Sequence, residues 1–187
     1  MGPRSRREGA VSRTRVSDQN PVLILTGPPG SGKTTVAGRL ATASQRAVHL
    51  ESDQFFHFVK TGYVEPWRPE SHDQNTTVMQ IVAAAAAGYA TAGYFTILDG
   101  IISPRWFLEP VRDTLSAAGL SAAYAILRAP LTVCVSRTTV DPAVVERLWN
   151  EFADLGALKS HVIDAAARPE DVAESLAARL RNGELAI

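Results

Sequence analysis

The length, composition and charge of the chain exclude several classes of protein. Its 187 residues fit one ordinary domain, and its share of apolar residues, 45%, is close to the globular average. No apolar run approaches the roughly 18 to 20 residues that a membrane span needs. The formal net charge of zero removes any global electrostatic case for nucleic acid or an anionic membrane as the main partner, so we expect a soluble protein.

Positive and negative residues are unevenly distributed along the chain. The first fifteen residues carry five arginines against one glutamate and show no apolar periodicity, which predicts a disordered basic tail, 1–20, before a single domain, 21–187. A transit peptide or an RNA-binding arm shares this composition, but the apolar centre of a secretory signal is absent. The single cysteine, Cys134, lies among valines, which predicts a buried, inert thiol and indicates a reducing, cytoplasmic setting.

Short apolar runs alternate with longer helical stretches along the rest of the chain, as in parallel strands joined by helices. The predicted strands are 22–26, 47–51, 94–99, 122–129 and 161–165. The predicted helices are 32–44, a long helix from 75 or 76 to the glycines at 88 and 93, 103–119, one from 131, 142–154 and 169–180. In the third of these, Ser103 and Pro104 are typical of a helix start, and Pro110 is expected to kink or divide it.

The segment 52–75 interrupts this alternation. It is rich in aromatic, proline and polar residues and is too long for a plain connection, which predicts a functional loop that determines acceptor specificity. Its candidate contacts are Phe55, Phe56, Phe58, Tyr63, Trp67, His57, Lys60, Arg68, His72 and Asn75. Aromatic side chains near a helix are more often core than ligand contacts, so we expect at most half of the aromatics to contact a ligand.

The stretch that follows the first strand carries the most specific motif. Gly27 and Gly32-Lys33-Thr34 have the spacing of a P-loop, between a strand and a helix. The glycines allow backbone N–H groups to surround phosphate oxygens, Lys33 would reach the β- and γ-phosphates, and Thr34 would ligate Mg²⁺. The predicted nucleotide-binding residues are Gly27, Pro28, Pro29, Gly30, Ser31, Gly32, Lys33, Thr34 and Thr35.

Other motifs narrow the class of P-loop protein. The chain has no Asn-Lys-x-Asp sequence, which argues against a GTPase. Asp99, at the end of the third strand, would organise Mg²⁺, and the residue after it is glycine instead of the glutamate with which motor ATPases commonly activate water. The pattern therefore favours phosphoryl transfer over hydrolysis, since transfer needs a positioned acceptor hydroxyl.

Asp53 is the candidate base for that hydroxyl. It follows the second strand, and ligands of open parallel sheets bind outside the carboxyl ends of the strands, so Asp53 and Asp99 should both face the P-loop. The alternative is that Asp53 merely caps the helix that follows, a role that Ser52 could also fill.

In this order, the motifs "GPPGSGKTT", "ESDQFF", "ILDG" and "LRAPLTVCVSR" resemble those of the small P-loop kinases of the nucleoside monophosphate, shikimate and gluconate kinase group. The closest resemblance is to the chloramphenicol phosphotransferase-like (AAA-type) ATP-binding proteins, and it extends over about 22–180. It implies an α/β fold, the P-loop NTPase three-layer α/β/α sandwich, with a five-stranded parallel sheet in the order 2-3-1-4-5.

The resemblance also implies ATP and Mg²⁺ as cofactors and roles for particular residues. Asp53 would be the catalytic carboxylate and Asp99 would join Thr34 at the metal. Arg128 would pack near the adenine, Arg137 would reach the phosphates, and the loop 164–169 would line the adenine side. The acceptor would be a small molecule with a hydroxyl group, and neither nucleic acid nor a membrane is expected as a partner.

One departure concerns the lid. The family usually has an arginine-rich lid after the position of Arg137, whereas this chain passes almost at once into the next helix, which leaves lid closure in doubt. Arg147 either substitutes for the lid or is a solvated helix residue, and Arg105 either approaches an anionic substrate or is a surface residue. The alternative function is a P-loop ATP-binding protein or slow ATPase with a regulatory role; a kinase acting on a nucleotide sugar differs only in its acceptor.

The remaining polar and aromatic residues receive structural assignments. The histidines lack metal-ligand spacing that would indicate zinc. We expect His49 and His161 to be structural, and Trp106 and Trp149 to pack in the core. The sequence does not indicate an oligomeric state.

Overall fold

A five-stranded parallel sheet organises the structure, a computed structural model that describes residues 21–187. The predicted basic tail, 1–20, lies outside the described residues. The strands follow the order β2-β3-β1-β4-β5, as expected, and every named pairing is parallel. Their bounds are β1 Val22–Thr26, β2 Ala47–Glu51, β3 Phe95–Asp99, β4 Ala122–Arg128 and β5 Val162–Asp164.

Helices cover both faces of this sheet, which confirms the three-layer α/β/α sandwich. Because β1 lies at the centre, all five of its residues are buried, and this explains why its sequence is apolar without alternation. One face packs against α1, α5, α6 and α7, and the other against α2, α3 and α4. Their bounds are α1 Lys33–Thr42, α2 Ser52–Phe56, α3 His72–Thr91, α4 Leu108–Ala117, α5 Leu131–Ser136, α6 Pro142–Asn150 and α7 Pro169–Arg181. Among residues 21–187, no helix is long and apolar enough to cross a membrane.

Several predicted helix boundaries were wrong. The segment predicted as a loop contains α2 and a short 3₁₀ turn, Pro69–Ser71, so α3 begins at His72 instead of 75 or 76. Gly88 lies inside α3, whereas Gly93, with φ of 82°, follows its end. The helix α6 ends at Asn150 and not at 154.

The predicted start of α4 at Ser103 and Pro104 was also wrong. The helix begins at Leu108, after Phe107 adopts a left-handed φ of 62°. The turn before it delivers residues 101–106 to the carboxyl edge of the sheet and keeps them out of the helix. Pro110 then lies in the first turn of α4. The N–H groups of that turn have no intrahelical partner, so the N–H that proline lacks removes no hydrogen bond and Pro110 causes no kink.

Two side chains from central strands hold the segment after β3 in place. The Ile102 N–H donates to the Thr26 hydroxyl at 2.9 Å, and the Tyr124 hydroxyl donates to the Ile102 carbonyl at 2.7 Å. All three residues are buried, so these bonds are shielded from water and fix the path of the loop. The neighbouring residues of that loop therefore have a defined position at the edge of the sheet.

The glycine-rich loop between β1 and α1 depends on close backbone approaches. A β-carbon at Gly30 would lie 2.1 Å from the Cys134 carbonyl oxygen, and the φ of Gly30 is 75°. We therefore predict that Gly30→Ala lowers the free energy of unfolding by more than about 2 kcal/mol. Gly38→Ala, in the middle of α1 where a β-carbon meets nothing within 4 Å, should raise it by roughly 0.5–1 kcal/mol. Denaturant unfolding of both variants measures the contrast, and equal effects would contradict it.

Cys134 is buried in α5, as predicted, and burial raises the pKa of its thiol. Its thiol contacts the Ala129 carbonyl at 3.7 Å. Since reagents attack the exposed thiolate, we expect the native protein to react with a thiol reagent at least about 100-fold more slowly than the unfolded chain. Cys134 is the only cysteine, so the signal from the thiol reagent reports on this residue alone. Labelling of the native protein at the rate of a free thiol would show that this environment is open.

Candidate functional site

The loop that follows β1 has the backbone geometry of a phosphate cradle. Three glycines, Gly27, Gly30 and Gly32, have positive φ angles of 145°, 75° and 92°. A β-carbon on Gly27 would lie 2.2 Å from the Leu127 carbonyl oxygen, so this position excludes any side chain. Gly32 is the N-cap of α1 and makes no side-chain capping bond, which leaves the first N–H groups of the helix available to an anion.

The side chain of Lys33 lies over this loop. Its Nζ donates to the Gly27 carbonyl at 3.0 Å and to the Pro28 carbonyl at 3.1 Å. Burial lowers the pKa of Lys33, and the negative charges of Asp99 and Asp53 oppose that shift. An ammonium group held by backbone carbonyls can exchange those bonds for charge-assisted bonds to phosphate oxygens.

Thr34 and Asp99 meet at the end of the sheet. The Thr34 hydroxyl donates to Asp99 Oδ2 at 2.7 Å, and Asp99 is only 3% exposed. The same oxygen lies 3.2 Å from His49 Nε2. We expected His49 to be structural, so its position beside this carboxylate is a feature that the sequence analysis missed. The signal was present, because β2 pairs with β3 and His49 shares a strand face with Glu51, the register partner of Asp99.

These groups fit Mg²⁺ and ATP. A hydroxyl and a carboxylate are hard oxygen ligands of the kind that Mg²⁺ takes together with phosphates and water. Across the described part of the chain, no group of three or more His, Cys, Asp or Glu residues could hold a metal ion by itself. The Ser31 hydroxyl, buried within the loop, has no hydrogen-bond partner among residues 21–187 and can bind an incoming oxygen.

A cavity of about 450 Å³, here called the transfer cavity, joins the phosphate side to Asp53. Lys33, Thr34, Asp99 and Asp53 all line it, together with Pro29 and Gly30 of the loop. The N-cap of α2 is Glu51, and no side chain caps that helix, so the structure does not support the alternative that Asp53 merely caps it. Glu51 also lines the cavity and is a second carboxylate that the sequence analysis did not single out.

Part of the segment 52–75 forms the wall of the transfer cavity. Phe56, His57, Tyr63 and Trp67 line it, whereas Phe58 is 70% exposed. The other candidates of this segment lie in three different environments. Phe55 packs against the core and Lys60 lies outside both cavities, while Arg68, His72 and Asn75 line a second cavity.

Side chains of α3 and α6 hold the backbone of residues 64–67, within this segment, in place. Gln74 accepts from the Val64 N–H at 2.9 Å and donates to the Val64 carbonyl at 2.7 Å, so one side chain satisfies both backbone groups. Arg147 of α6 donates to the Trp67 carbonyl at 3.0 Å. Arg147 is therefore more than a solvated helix residue, because it joins α6 to the segment 52–75.

The second cavity, also about 450 Å³, adjoins the transfer cavity and is here called the distal cavity. The wall between them is shared by Pro66, Trp67, Ile101, Trp106 and Leu148. Trp106, which we assigned to packing, packs against Phe107 and also lines both cavities. Arg105 and Arg147, two residues whose roles the sequence left open, line the distal cavity with Arg68.

Two predicted arginines lie elsewhere. Arg128 stacks over the ring of Trp149, with its guanidinium carbon 4.0 Å from the ring centre. Arg137 donates to the Ala165 carbonyl at 3.2 Å, in the loop 164–169 after β5. Neither residue lines the transfer cavity, so the structure does not bring them together with Lys33 and Asp53. Thr35, the last predicted residue of the loop, is exposed near the start of α1.

Comparisons with known proteins agree with this architecture. A family model described as an AAA domain matches residues 22–140. Among solved structures, the chain is similar to a gluconokinase from Sinorhizobium meliloti 1021, with a TM-score of 0.68, 16% identity and coverage of 87% of this chain and 93% of that one. It is also similar to the Deinococcus radiodurans tunicamycin resistance protein, with a TM-score of 0.66, 23% identity and coverage of 86% and 95%.

A third similar structure is a shikimate kinase from Acinetobacter baumannii in complex with shikimate, with a TM-score of 0.64, 23% identity and coverage of 88% and 95%. At these identities the likeness establishes the fold. The resemblance to small P-loop kinases that the motifs indicated is thereby confirmed. This chain belongs to the AAA domain family and has the fold of a small P-loop kinase.

Proposed function

We propose that the protein is an ATP-dependent phosphotransferase that moves the γ-phosphate of MgATP to a hydroxyl group of a small molecule. The observation that supports this most directly is the composition of the transfer cavity. Lys33, which is partly buried, and the hydrogen-bonded pair Thr34 and Asp99 lie on one side, and Asp53, a carboxylate suited to an acceptor hydroxyl, lies on the other. The proposed setting is cytoplasmic.

On the phosphate side, each group has a separate task. Lys33 exchanges its bonds to the loop carbonyls for bonds to phosphate oxygens, and Thr34 and Asp99 hold the Mg²⁺ ion. When bound, MgATP supplies the phosphoryl group, and its cation offsets the charge on the phosphates. Arg128 and Arg137 lie beside the loop 164–169, on the proposed adenine side. A catalytic role for Arg137 at the phosphates requires that it release the Ala165 carbonyl.

On the acceptor side, Asp53 orients the reacting hydroxyl. Asp53 accepts the hydroxyl proton as the acceptor oxygen bonds to the γ-phosphorus, and the bridging oxygen remains with ADP. The walls formed by Tyr63, Trp67 and Trp106 limit the access of water to this reaction. These aromatic side chains also provide apolar surface for the carbon skeleton of the acceptor.

The short connection between α5 and α6, residues 137–141, supports the alternative of an ATP-binding protein with slow turnover. It leaves no room for an arginine-rich lid of the kind that encloses the reaction in related kinases. The bond from Arg147 to the Trp67 carbonyl favours the kinase, because it holds the segment 52–75, part of which forms the wall of the transfer cavity, against α6.

Substitution of Asp53 separates these two functions. We predict that Asp53→Asn lowers acceptor-dependent ADP release by about 100-fold or more, since a positioned base contributes roughly 10²–10⁴ in rate. Its affinity for MgATP should stay within about twofold, because Asp53 lies on the acceptor side. Coupled ADP-release assays and titration with a fluorescent ATP analogue measure the two quantities. Asp113→Asn, an exposed carboxylate on α4, is the matched control. Equal ADP release by wild type and Asp53→Asn would favour the alternative.

Lys33 provides a test of the phosphate side. Because burial lowers its pKa, its charge costs stability in the folded state, and we predict that Lys33→Met leaves the free energy of unfolding unchanged or raised. ATP affinity should fall by roughly 100-fold, as expected for loss of a charge-assisted contact to phosphate. Denaturant unfolding and calorimetric titration report the two effects. Lys159→Met, at an exposed lysine, should change neither, and a Lys33→Met protein that binds ATP normally would contradict the assignment.

A further inference from the structure

The charges that line the transfer cavity are unbalanced. Its carboxylates are Glu51, Asp53, Glu65 and Asp99, and among residues 21–187 the only lysine or arginine that lines it is Lys33. On the proposed function, Lys33 and Asp99 are engaged by MgATP. The structure records no ion pair for the other three carboxylates to any residue within that range. An acceptor that enters this cavity therefore meets negative charge that no lysine or arginine compensates.

Two of these carboxylates act on the same tyrosine. The Tyr63 hydroxyl donates to Glu65 Oε2 at 3.2 Å. Partial burial raises the pKa of Tyr63, and the negative charges of Glu65 and Asp53 raise it further. Glu65 and Asp53, on opposite sides of the short helix α2 in the sequence, thus face a common region beside the Tyr63 ring.

Aromatic faces are open in the same region. Tyr63 and Trp67 line the transfer cavity, and each is 37% exposed. Within the described part of the chain, neither ring pairs with another aromatic ring or with a guanidinium group. The faces of tyrosine and tryptophan rings attract cations. An ammonium group on a carbon skeleton combines positive charge with apolar surface, so it is the class of ligand that carboxylates and open rings recognise together.

The wall that carries these groups is held in place on both sides of Glu65. Asn75 Nδ2 donates to the Pro66 carbonyl at 2.8 Å, directly after Glu65. The bonds from Gln74 and Arg147, described above, hold the residues that flank this pair. The carboxylate and the neighbouring ring are therefore positioned before a ligand arrives, which lowers the entropic cost of binding.

Ser52 adds a polar atom without a partner beside Asp53. Ser52 is 3% exposed and lines the transfer cavity, and the structure records no side-chain hydrogen bond for it to any residue within 21–187. A β-carbon on Gly100 would lie 2.2 Å from Ser52 Oγ, so this hydroxyl lies against the Gly100 backbone. An unpaired hydroxyl in a nearly buried residue is costly, and a ligand hydroxyl or N–H group can complete it.

The neighbouring distal cavity has the opposite charge. Arg68, Arg105 and Arg147 line it, and none of the three lines the transfer cavity. They repel an ammonium group that extends past Trp67, so positive charge is favoured only on the Glu65 side of the shared wall. The amine and the reacting hydroxyl of an acceptor are therefore expected close together.

We propose that the transfer cavity binds a cationic acceptor: a small amino alcohol or amino sugar whose ammonium group lies close to the hydroxyl that reacts. The ammonium group lies between the Glu65 carboxylate and the rings of Tyr63 and Trp67, and the reacting hydroxyl meets Asp53 and Ser52. The assignment rests on the proposed phosphotransferase function for the reacting hydroxyl. Recognition of the ammonium group itself does not require turnover.

Matched pairs of ligands test the charge requirement. Glucosamine is compared with N-acetylglucosamine, and choline with its neutral isostere, in which carbon replaces the charged nitrogen. Each is titrated calorimetrically at neutral pH into the protein saturated with Mg²⁺ and a non-hydrolysable ATP analogue. In at least one pair we expect the cation to bind at least about tenfold more tightly, and the two pairs distinguish an amino sugar from a small amino alcohol. Equal or tighter binding of both neutral members overturns the proposal, and so does absence of binding by both cations.

A glutamate variant then locates the ammonium group. Glu65→Gln should weaken the cation of the bound pair by about tenfold and leave its neutral counterpart unchanged, since one charge-assisted contact is lost. Glu70→Gln is the matched control, because Glu70 is an exposed glutamate of the same segment outside both cavities. An equal effect of the two variants would show a general charge effect and would overturn the location.

Trp67 separates a cation contact from apolar burial. Trp67→Leu keeps the backbone carbonyl that accepts from Arg147, so the path of the segment is retained. It should weaken the cation by roughly threefold or more relative to the neutral counterpart, with little change in the unfolding midpoint. Phe58→Leu, at an aromatic residue that is 70% exposed outside both cavities, is the control. Equal losses for the cation and its neutral counterpart would overturn the assigned ring contact.

The proposal and the phosphotransferase function fail in different ways. Glu65-dependent binding of an amine without phosphorylated product would support the cation site and refute the kinase. Phosphorylation of a neutral or anionic acceptor, with no preference for an amine, would support the kinase and refute the cation site.

Discussion

The close approach of the glycine-rich loop to its two neighbours is the constraint on which the rest of the site depends. Gly27 lies against the backbone of β4 and Gly30 against that of α5, and neither position has space for a β-carbon. Glycine at both positions permits this close approach and lets the loop turn tightly. Gly32 can then begin α1 at the edge of the sheet. Lys33 and Thr34 follow in the first turn of that helix, where they lie within reach of Asp99. The phosphate side is thus fixed mainly by backbone packing, and side chains add charge to a geometry that already exists.

The order of the strands accounts for the other half of the transfer cavity. Since β3 lies between β1 and β2, the acidic residues that end or follow β2 and β3 come to the same edge as the loop after β1. Asp53 and Asp99 are far apart in the chain, and this adjacency explains why the negative charges of both oppose the lowering of the Lys33 pKa. The same adjacency places His49 beside Asp99, where it can limit the orientations of a carboxylate that also binds Thr34.

The parts of this arrangement that the sequence predicted are those with local signals. The P-loop spacing, the apolar strands and the acidic residues at their ends each depend on short stretches of chain, and the resemblance supplied the strand order. The start of α4 was missed because Ser103 and Pro104 are good helix-start residues, and the left-handed Phe107 carries no sequence signal. The distal cavity was not predicted because it combines residues from α3, α6 and the loop after β3, which meet only through tertiary packing.

The bonds that hold the wall of the transfer cavity after β2 differ in kind from the backbone packing that fixes the glycine-rich loop. The segment 64–67 is held by side-chain bonds from Gln74, Asn75 and Arg147 to its backbone carbonyl and N–H groups. Such bonds are independent of the identity of the side chains on that segment, so its aromatic and charged residues can vary while its path is kept. Arg147 of α6 lines the distal cavity and bonds to a single backbone carbonyl of this segment, that of Trp67, whose residue lines both cavities, so one hydrogen bond connects α6 to the wall that the two cavities share.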